Sequence, residues 1–103
     1  MAEFIRIGSK ADLPGDGEAK EFEVNGTTVC VANVDGKLAA MDNMCVHRGG
    51  PLGQGVVMDG KVICPWHGWS FDPKTGISDQ NSDMGVKVYE IKVESEDVLV
   101  ELP

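Results

Sequence analysis

Both histidines of this chain and two of its three cysteines fall into two short boxes, Cys45-Val46-His47 and Cys64-Pro65-Trp66-His67, with sixteen residues between them. Scattered core residues would rarely collect in this way. Thiolate sulfur and imidazole nitrogen in two tight knuckles make a metal site. A thiolate stabilises ferric iron and bridging-sulfide chemistry, whereas a neutral imidazole adds a ligand without adding negative charge. Two of each allow one iron to be held by sulfur and a second by nitrogen. The same four side chains also satisfy tetrahedral zinc. Zinc knuckles more often space their ligands C-x2-C or H-x3-H, and a single ion leaves the glycine-rich lids beside both boxes without a purpose.

Those lids have physical work to do around a cluster. Gly49, Gly50, Gly53 and Gly68 allow backbone amides to approach sulfide and donate to it, although ordinary turn formation asks for glycine too. Pro51 and Pro65 stiffen the two segments. Trp66, Trp69 and Phe71 are expected to cover the centre and keep water from it, as simple core packing would also have them do. Arg48 beside His47 is a candidate for guiding a docking partner, or a solvated surface cation. Cys30, inside the apolar run TTVCVANV, reads as a buried structural thiol. Asp72, Lys74 and Thr75-Gly76 read as a turn after the second box.

Positioning these residues falls to short strands. Runs rich in β-branched or aromatic residues recur at 4–7, 20–24, 27–34, 37–41, 56–58, 61–64, 86–93 and 97–102, which is an all-β pattern. Asn25-Gly26, Asp35-Gly36 and Asp59-Gly60 each separate two runs by two residues able to take positive φ, so three type I′ hairpins are expected. In VKVYEIKV, Val86 and Val88 have one parity and Ile91 and Val93 the other, which predicts a bulge near Tyr89-Glu90. Ser9–Gly17 has room for one helical turn capped by Ser9 before Pro14 stops it. The irregular stretch between Asp42 and Asp83 holds the chemistry, so a cluster-binding subdomain is expected at about 43–83.

With 103 residues and 42% hydrophobic content the chain is read as one domain, 1–103, with one core. Glu3 and Arg6 interrupt any export signal, and no run reaches the ~18 apolar residues of a membrane span, so a cytoplasmic protein is expected. An odd cysteine count without export argues against a disulfide framework. Seventeen acids against nine bases, a net charge of −8, disfavour nucleic acid and anionic membranes and suit basic protein partners. Solubility accounts for part of that charge. With both histidines committed, neither a mononuclear iron site of two histidines and a carboxylate nor a serine–histidine hydrolase can be assembled. No dinucleotide fingerprint or phosphate loop appears, and no small-molecule substrate is expected.

The boxes CVHRGGPLG at 45–53 and CPWHGWSFD at 64–72 resemble those of Rieske proteins, and the hairpins around them extend the resemblance over essentially the whole chain. It implies an antiparallel β-sandwich or barrel with a small cluster-binding subdomain. It also implies one [2Fe-2S] cluster, with Cys45 and Cys64 on one iron and His47 and His67 on the other, near the tip of the domain. The implied function is a one-electron ferredoxin of an aromatic-ring dioxygenase system, fed by a flavin-containing, NAD(P)H-dependent reductase and serving a terminal oxygenase, without catalysis of its own. The small Rieske subunit of an assimilatory nitrite reductase is the alternative, but such subunits often lack some of the ligands that are all present here. Membrane-bound Rieske subunits carry a second cysteine in each box, where this chain has Gly50 and Trp66. High-potential members continue the second box as His-Gly-Ser-x-Tyr with hydroxyls donating to sulfur. Trp69 and Phe71 stand at those places, which implies a potential near the low end of the Rieske range unless the Ser70 hydroxyl substitutes.

Overall fold

The computed structural model describes residues 3–44, 50–66, 68–81 and 83–102. Among the described residues ten strands, all paired antiparallel, form three sheets. The central one has β2 (Ala19–Val24), β3 (Thr27–Val34), β4 (Lys37–Asp42) and β8 (Val88–Tyr89) in that order. A second contains β1 (Glu3–Ser9), β10 (Asp97–Leu102) and β9 (Ile91–Glu94), and a third contains β5 (Val56–Met58), β6 (Lys61–Ile63) and β7 (Ser70–Phe71).

The alternation of side chains along β3 explains how the three sheets stack. Val29 and Val31 enter one core with Phe22, Val24, Ala40 and Val100, joined at its edge by Ile5, Ile7 and Ile91. Cys30 and Ala32, of opposite parity, enter another with Met41, Leu52, Val62, Cys64 and Phe71. The central sheet is therefore covered on both faces, by the β1-β10-β9 sheet on one and by the β5-β6-β7 sheet on the other, which gives two cores where one was expected. A strand buried on both faces reads as a continuous apolar run rather than an alternating one, which is what TTVCVANV shows. Each fully buried Val, Leu or Phe here contributes about 1.5–3 kcal/mol.

The three expected hairpins form. Asn25-Gly26, Asp35-Gly36 and Asp59-Gly60 have φ of 50° and 80°, 54° and 85°, and 52° and 75°, positive at both central positions as type I′ requires. The Ser9 turn is a single 3-10 turn, Lys10–Asp12. Ser9 Oγ accepts from the Ala11 amide and the Asp12 carboxylate accepts from the Ser9 amide. Asp72 accepts from the Lys74 amide at 2.8 Å, which holds its carboxyl below the usual range, so the turn after the second box is also as expected.

The segment 86–93 departs from expectation. In place of one bulged strand there are two, β8 and β9, separated at Glu90. They belong to different sheets, β8 pairing with β4 and β9 with β10. The change of parity marks the point where the chain leaves the central sheet, so Ile91 turns into the core between the sheets while Val93 stays 38% exposed. A fourth hairpin joins β9 to β10 with Ser95 at φ 54°, a turn without the glycine that marked the other three. No helix among the described residues is long and apolar enough to cross a membrane.

Cys30 is a free, buried thiol, as its apolar setting predicts. Burial, and secondarily the nearby Glu21 carboxylate, push its pKa from 9.0 up to about 12. A thiol neutral in the fold but ionised in the unfolded chain contributes stability below pH 9 that is lost as pH rises through that window. The urea midpoint of wild type is therefore expected to fall more steeply between about pH 9 and 12 than that of Cys30→Ala. Parallel profiles would show that the thiol ionises equally in both states.

Candidate metal centre

The second box connects two paired strands. Ile63 at the end of β6 lies opposite Ser70 at the start of β7, and Val62 opposite Phe71, both fully buried. Between them the Cys64 amide donates to the Trp69 carbonyl at 2.8 Å, and the Gly68 amide donates to the Cys64 carbonyl at 3.1 Å, with Gly68 at φ 73°. Cys64 is thus fixed by its own backbone at the mouth of a tight turn, with its side chain in the core between the sheets and only 2% exposed. The far side of β7 is braced by polar contacts. Ser70 donates its hydroxyl to Asp79 at 3.0 Å and its amide to Gln80 at 2.8 Å, while Lys61 reaches Asp79 at 3.2 Å.

The first box lies between β4 and a 3-10 turn at Leu52–Gln54. Its two stems meet at a bridge between Met44 and Pro51 and a hydrogen bond from the Leu52 amide to the Asn43 carbonyl at 2.7 Å. Of the four predicted ligands, Cys64 is among the described residues, whereas Cys45, His47 and His67 lie outside them, as do Arg48 and Gly49.

Gly50 shows that the boxes meet. A Cβ on Gly50 would stand 2.7 Å from the Cys64 Sγ and 3.1 Å from Cγ of Trp66. A residue of the first box therefore presses against a predicted ligand of the second, in a gap that only a glycine leaves open. A buried, unbridged thiol facing this gap is what a sulfur-ligated metal group needs, so Cys64 and its surroundings fit the expected cluster.

The Gly53 amide donates to Asn43 Oδ1 at 2.7 Å and the Gly68 amide to the Cys64 carbonyl, so the amides of these two glycines serve the turns, the other of the two uses expected of them. Trp66 departs from the burial that core packing would give it, being 56% exposed with its ring laid over Gly50, whereas Phe71 is fully buried and Trp69 packs half-buried on the core. The Ser70 hydroxyl is spent on Asp79 and cannot stand in for the missing hydroxyl donors. The sequence reading also missed Glu21, Asn43 and Gln54, which bind the stems of the first box together. Their one signal was a polar Asn43 two residues before the first cysteine.

The Rieske [2Fe-2S] domain family matches residues 3–90 of the chain. The chain belongs to the Rieske family. Rieske domains bind a [2Fe-2S] cluster, so the cofactor follows with the family. Human apoptosis-inducing factor 3 is 34% identical over 82% of this chain, which spans only 14% of that protein's length. The biphenyl dioxygenase ferredoxin subunit of Pseudomonas sp. (strain KKS102) is 34% identical over 95% of this chain and 91% of its own. Among solved structures, the Sphingomonas yanoikuyae B1 ferredoxin superposes with a TM-score of 0.84 at 29% identity, covering 98% of this chain and all of that one. A putative NADH-dependent nitrite reductase small subunit from Mycobacterium tuberculosis shares the fold, with a TM-score of 0.88 at 19% identity, covering 100% of this chain and 97% of its own.

Within this Rieske domain, Gly50 and Trp66 occupy the two positions where membrane-bound members carry a second cysteine, and the structure puts those positions in contact. An aromatic ring on a glycine here replaces a covalent bridge. A separate open cavity of about 510 Å³ over Val34, Leu38, Tyr89 and Ile91 shares no residue with either box. In Gly50→Ala, the added methyl must displace either Cys64 or the Trp66 ring, an overpacking worth about 1–3 kcal/mol. Iron per chain is expected to fall severalfold while the circular dichroism stays that of wild type. Full iron loading would show that the gap has slack.

Proposed function

We propose that this protein is a ferredoxin, a carrier of single electrons, whose [2Fe-2S] cluster is held by Cys45 and Cys64 on one iron and by His47 and His67 on the other. The observation that carries the reading is the 34% identity over 91% of a biphenyl dioxygenase ferredoxin subunit, combined with a complete set of two cysteines and two histidines. The cluster supplies a one-electron couple with little rearrangement of its ligands. The chain's part is to hold ligands rigidly, a reading that the backbone bonds at Cys64, Gly68 and Trp69 and the pinned stems of the first box support.

The electron source we infer is a flavin-containing, NAD(P)H-dependent reductase, and the acceptor a terminal oxygenase acting on an aromatic compound in the cytoplasm. The name of the Pseudomonas relative and the net charge of −8, which suits basic partner surfaces, support this. The chain is read as a single domain over 1–103, since the core between the central and third sheets takes residues from β3, β4, β6 and β7 alike. A nitrite reductase small subunit shares the fold, but the full ligand set favours the ferredoxin.

Purified protein is expected to contain two irons and two acid-labile sulfides per chain, to accept one electron, and to give a rhombic resonance signal of low average g when reduced. His47→Ala and His67→Ala should each lose the iron. Stoichiometric zinc without sulfide would overturn the assignment.

The potential follows from the same residues. Two thiolates and two neutral imidazoles bring two negative charges to the cluster where four cysteines would bring four, which raises Rieske potentials to about −150 to +300 mV. Hydroxyl donors to sulfur raise them further by favouring the reduced state. Here Trp69 and Phe71 have no hydroxyl and Ser70 has committed its own. Voltammetry near neutral pH is expected to give about −150 mV, the low end of that range, and Phe71→Tyr a higher value. A wild-type potential well above zero would refute the argument.

A further inference from the structure

One side chain joins the two stems from which the first box hangs. Asn43 is a buried polar residue, 8% exposed, immediately after β4. Its carbonyl accepts from the Leu52 amide at 2.7 Å, its Oδ1 accepts from the Gly53 amide at 2.7 Å, and its Nδ2 donates to Glu21 Oε2 at 2.6 Å. Glu21 Oε1 accepts in turn from Gln54 Nε2 at 3.1 Å. Three consecutive residues, Leu52, Gly53 and Gln54, are thereby tied to Asn43 or to Glu21 on β2.

The network permits one orientation only. An ionised carboxylate accepts and never donates, so Glu21 compels Asn43 to turn its amide nitrogen toward β2 and its oxygen toward Gly53. Gly53 must be glycine for the same closeness. A Cβ there would run into Glu21 Cγ and stand 2.8 Å from Asn43 Oδ1. Glu21 shares its parity along β2 with Ala19, which packs on the core that contains Cys64, so the anchor stands on the covered face of the central sheet.

We propose that Asn43, held by Glu21, is a positioning residue for the cluster. It fixes the stems of the segment 44–51, and with them Cys45 and His47, against the box that contains Cys64. This rests on the reading that Cys45 and His47 are ligands. Without the clamp, the chain between Asn43 and Gly53 remains closed by its neighbours, but its two ends slide relative to each other and the ligands it bears follow. Ligand constellations tolerate displacements of only about 0.5 Å before function suffers. Its hydrogen-bond partners among the described residues are Leu52, Gly53 and Glu21 rather than Cys64, so its effect is on how firmly the metal group is held rather than on whether the chain folds.

The chemistry of the pair supplies a rescue. Asn43→Asp in the holoprotein sets two carboxylates against each other. Adding Glu21→Gln exchanges the roles: the new amide donates to the new carboxylate, which still accepts from Gly53, and the glutamine oxygen still accepts from Gln54. The measurement is loss of the cluster's visible absorbance in excess chelator, alongside resonance g values and far-ultraviolet circular dichroism. Asn43→Asp is expected to lose the cluster about tenfold faster with shifted g values, the scale of one charge-assisted hydrogen bond, and the double variant to return within about twofold of wild type. Unchanged bleaching and g values in Asn43→Asp would overturn the proposal. A double variant that regains thermal stability but not the wild-type bleaching rate would also overturn it, because Asn43 would then serve the scaffold alone. Should Asn43→Asp not fold, Gln54→Ala removes only the exposed outer link. It is expected to raise the bleaching rate about threefold, and an unchanged rate would again overturn the clamp. Wild type without iron and sulfide refutes the ligand reading instead, a distinct outcome.

Discussion

The burial of β3 on both faces is the constraint on which the rest of this structure depends. Val29, Cys30, Val31 and Ala32 are successive residues, all fully buried, and their alternation sends two side chains into each of two cores. A strand in this position cannot slip by one residue, because every side chain would change core. The central sheet thus has a fixed register, and the third sheet can be small because it packs on a surface that is already rigid. Leu52, Val62 and Phe71 dock there, and Cys64 arrives with them. The Cys64 sulfur is placed by the same burial that stabilises the fold.

The two boxes solve one problem by different means. The second is short and joins paired strands, so register on both sides and backbone hydrogen bonds at Cys64 and Gly68 help to shape it. The first spans more chain between a strand and a single 3-10 turn, and pairing alone does not hold it. Its stems are closed instead by Asn43 and by the Met44–Pro51 bridge. The unequal use of side-chain hydrogen bonds follows from the unequal lengths, since each added residue enlarges the set of conformers that closure must exclude.

What could be read in the sequence was local or periodic. The asparagine- and aspartate-glycine turns demand positive φ whatever surrounds them, and the apolar run of β3 announces a strand covered twice. The ligand boxes stood out because histidine is so scarce in this chain. The sheet exchange at Glu90 was visible only as a change of parity, which a bulge and a change of sheet produce equally. β7, two residues long, has too little sequence to show any period. The Glu21–Asn43–Gly53 clamp joins residues far apart in the chain, and Glu21 sits in a strand where it looks like an ordinary solvent-facing acid. Gly53 and Gly68 could be read equally as room for amides near sulfide or as turn residues. Gly53 is required by the closeness of Glu21 and Asn43, and Gly68 by its φ of 73°, reasons that only the geometry carries.

The contact between Gly50 and Trp66 shows what a covalent bridge would otherwise contribute. A disulfide across these positions would set the distance between the boxes and, in the chain-entropy account, restrict the unfolded state as well. An aromatic ring over a glycine sets the distance in the folded state only. The ring is more than half exposed, so the apolar area it removes from water is modest, and dispersion at this contact is weak atom by atom. The separation of the boxes must then be fixed from below, by the core around Leu52, Val62 and Phe71 and by the hydrogen bonds at the stems, rather than by a strap across the top.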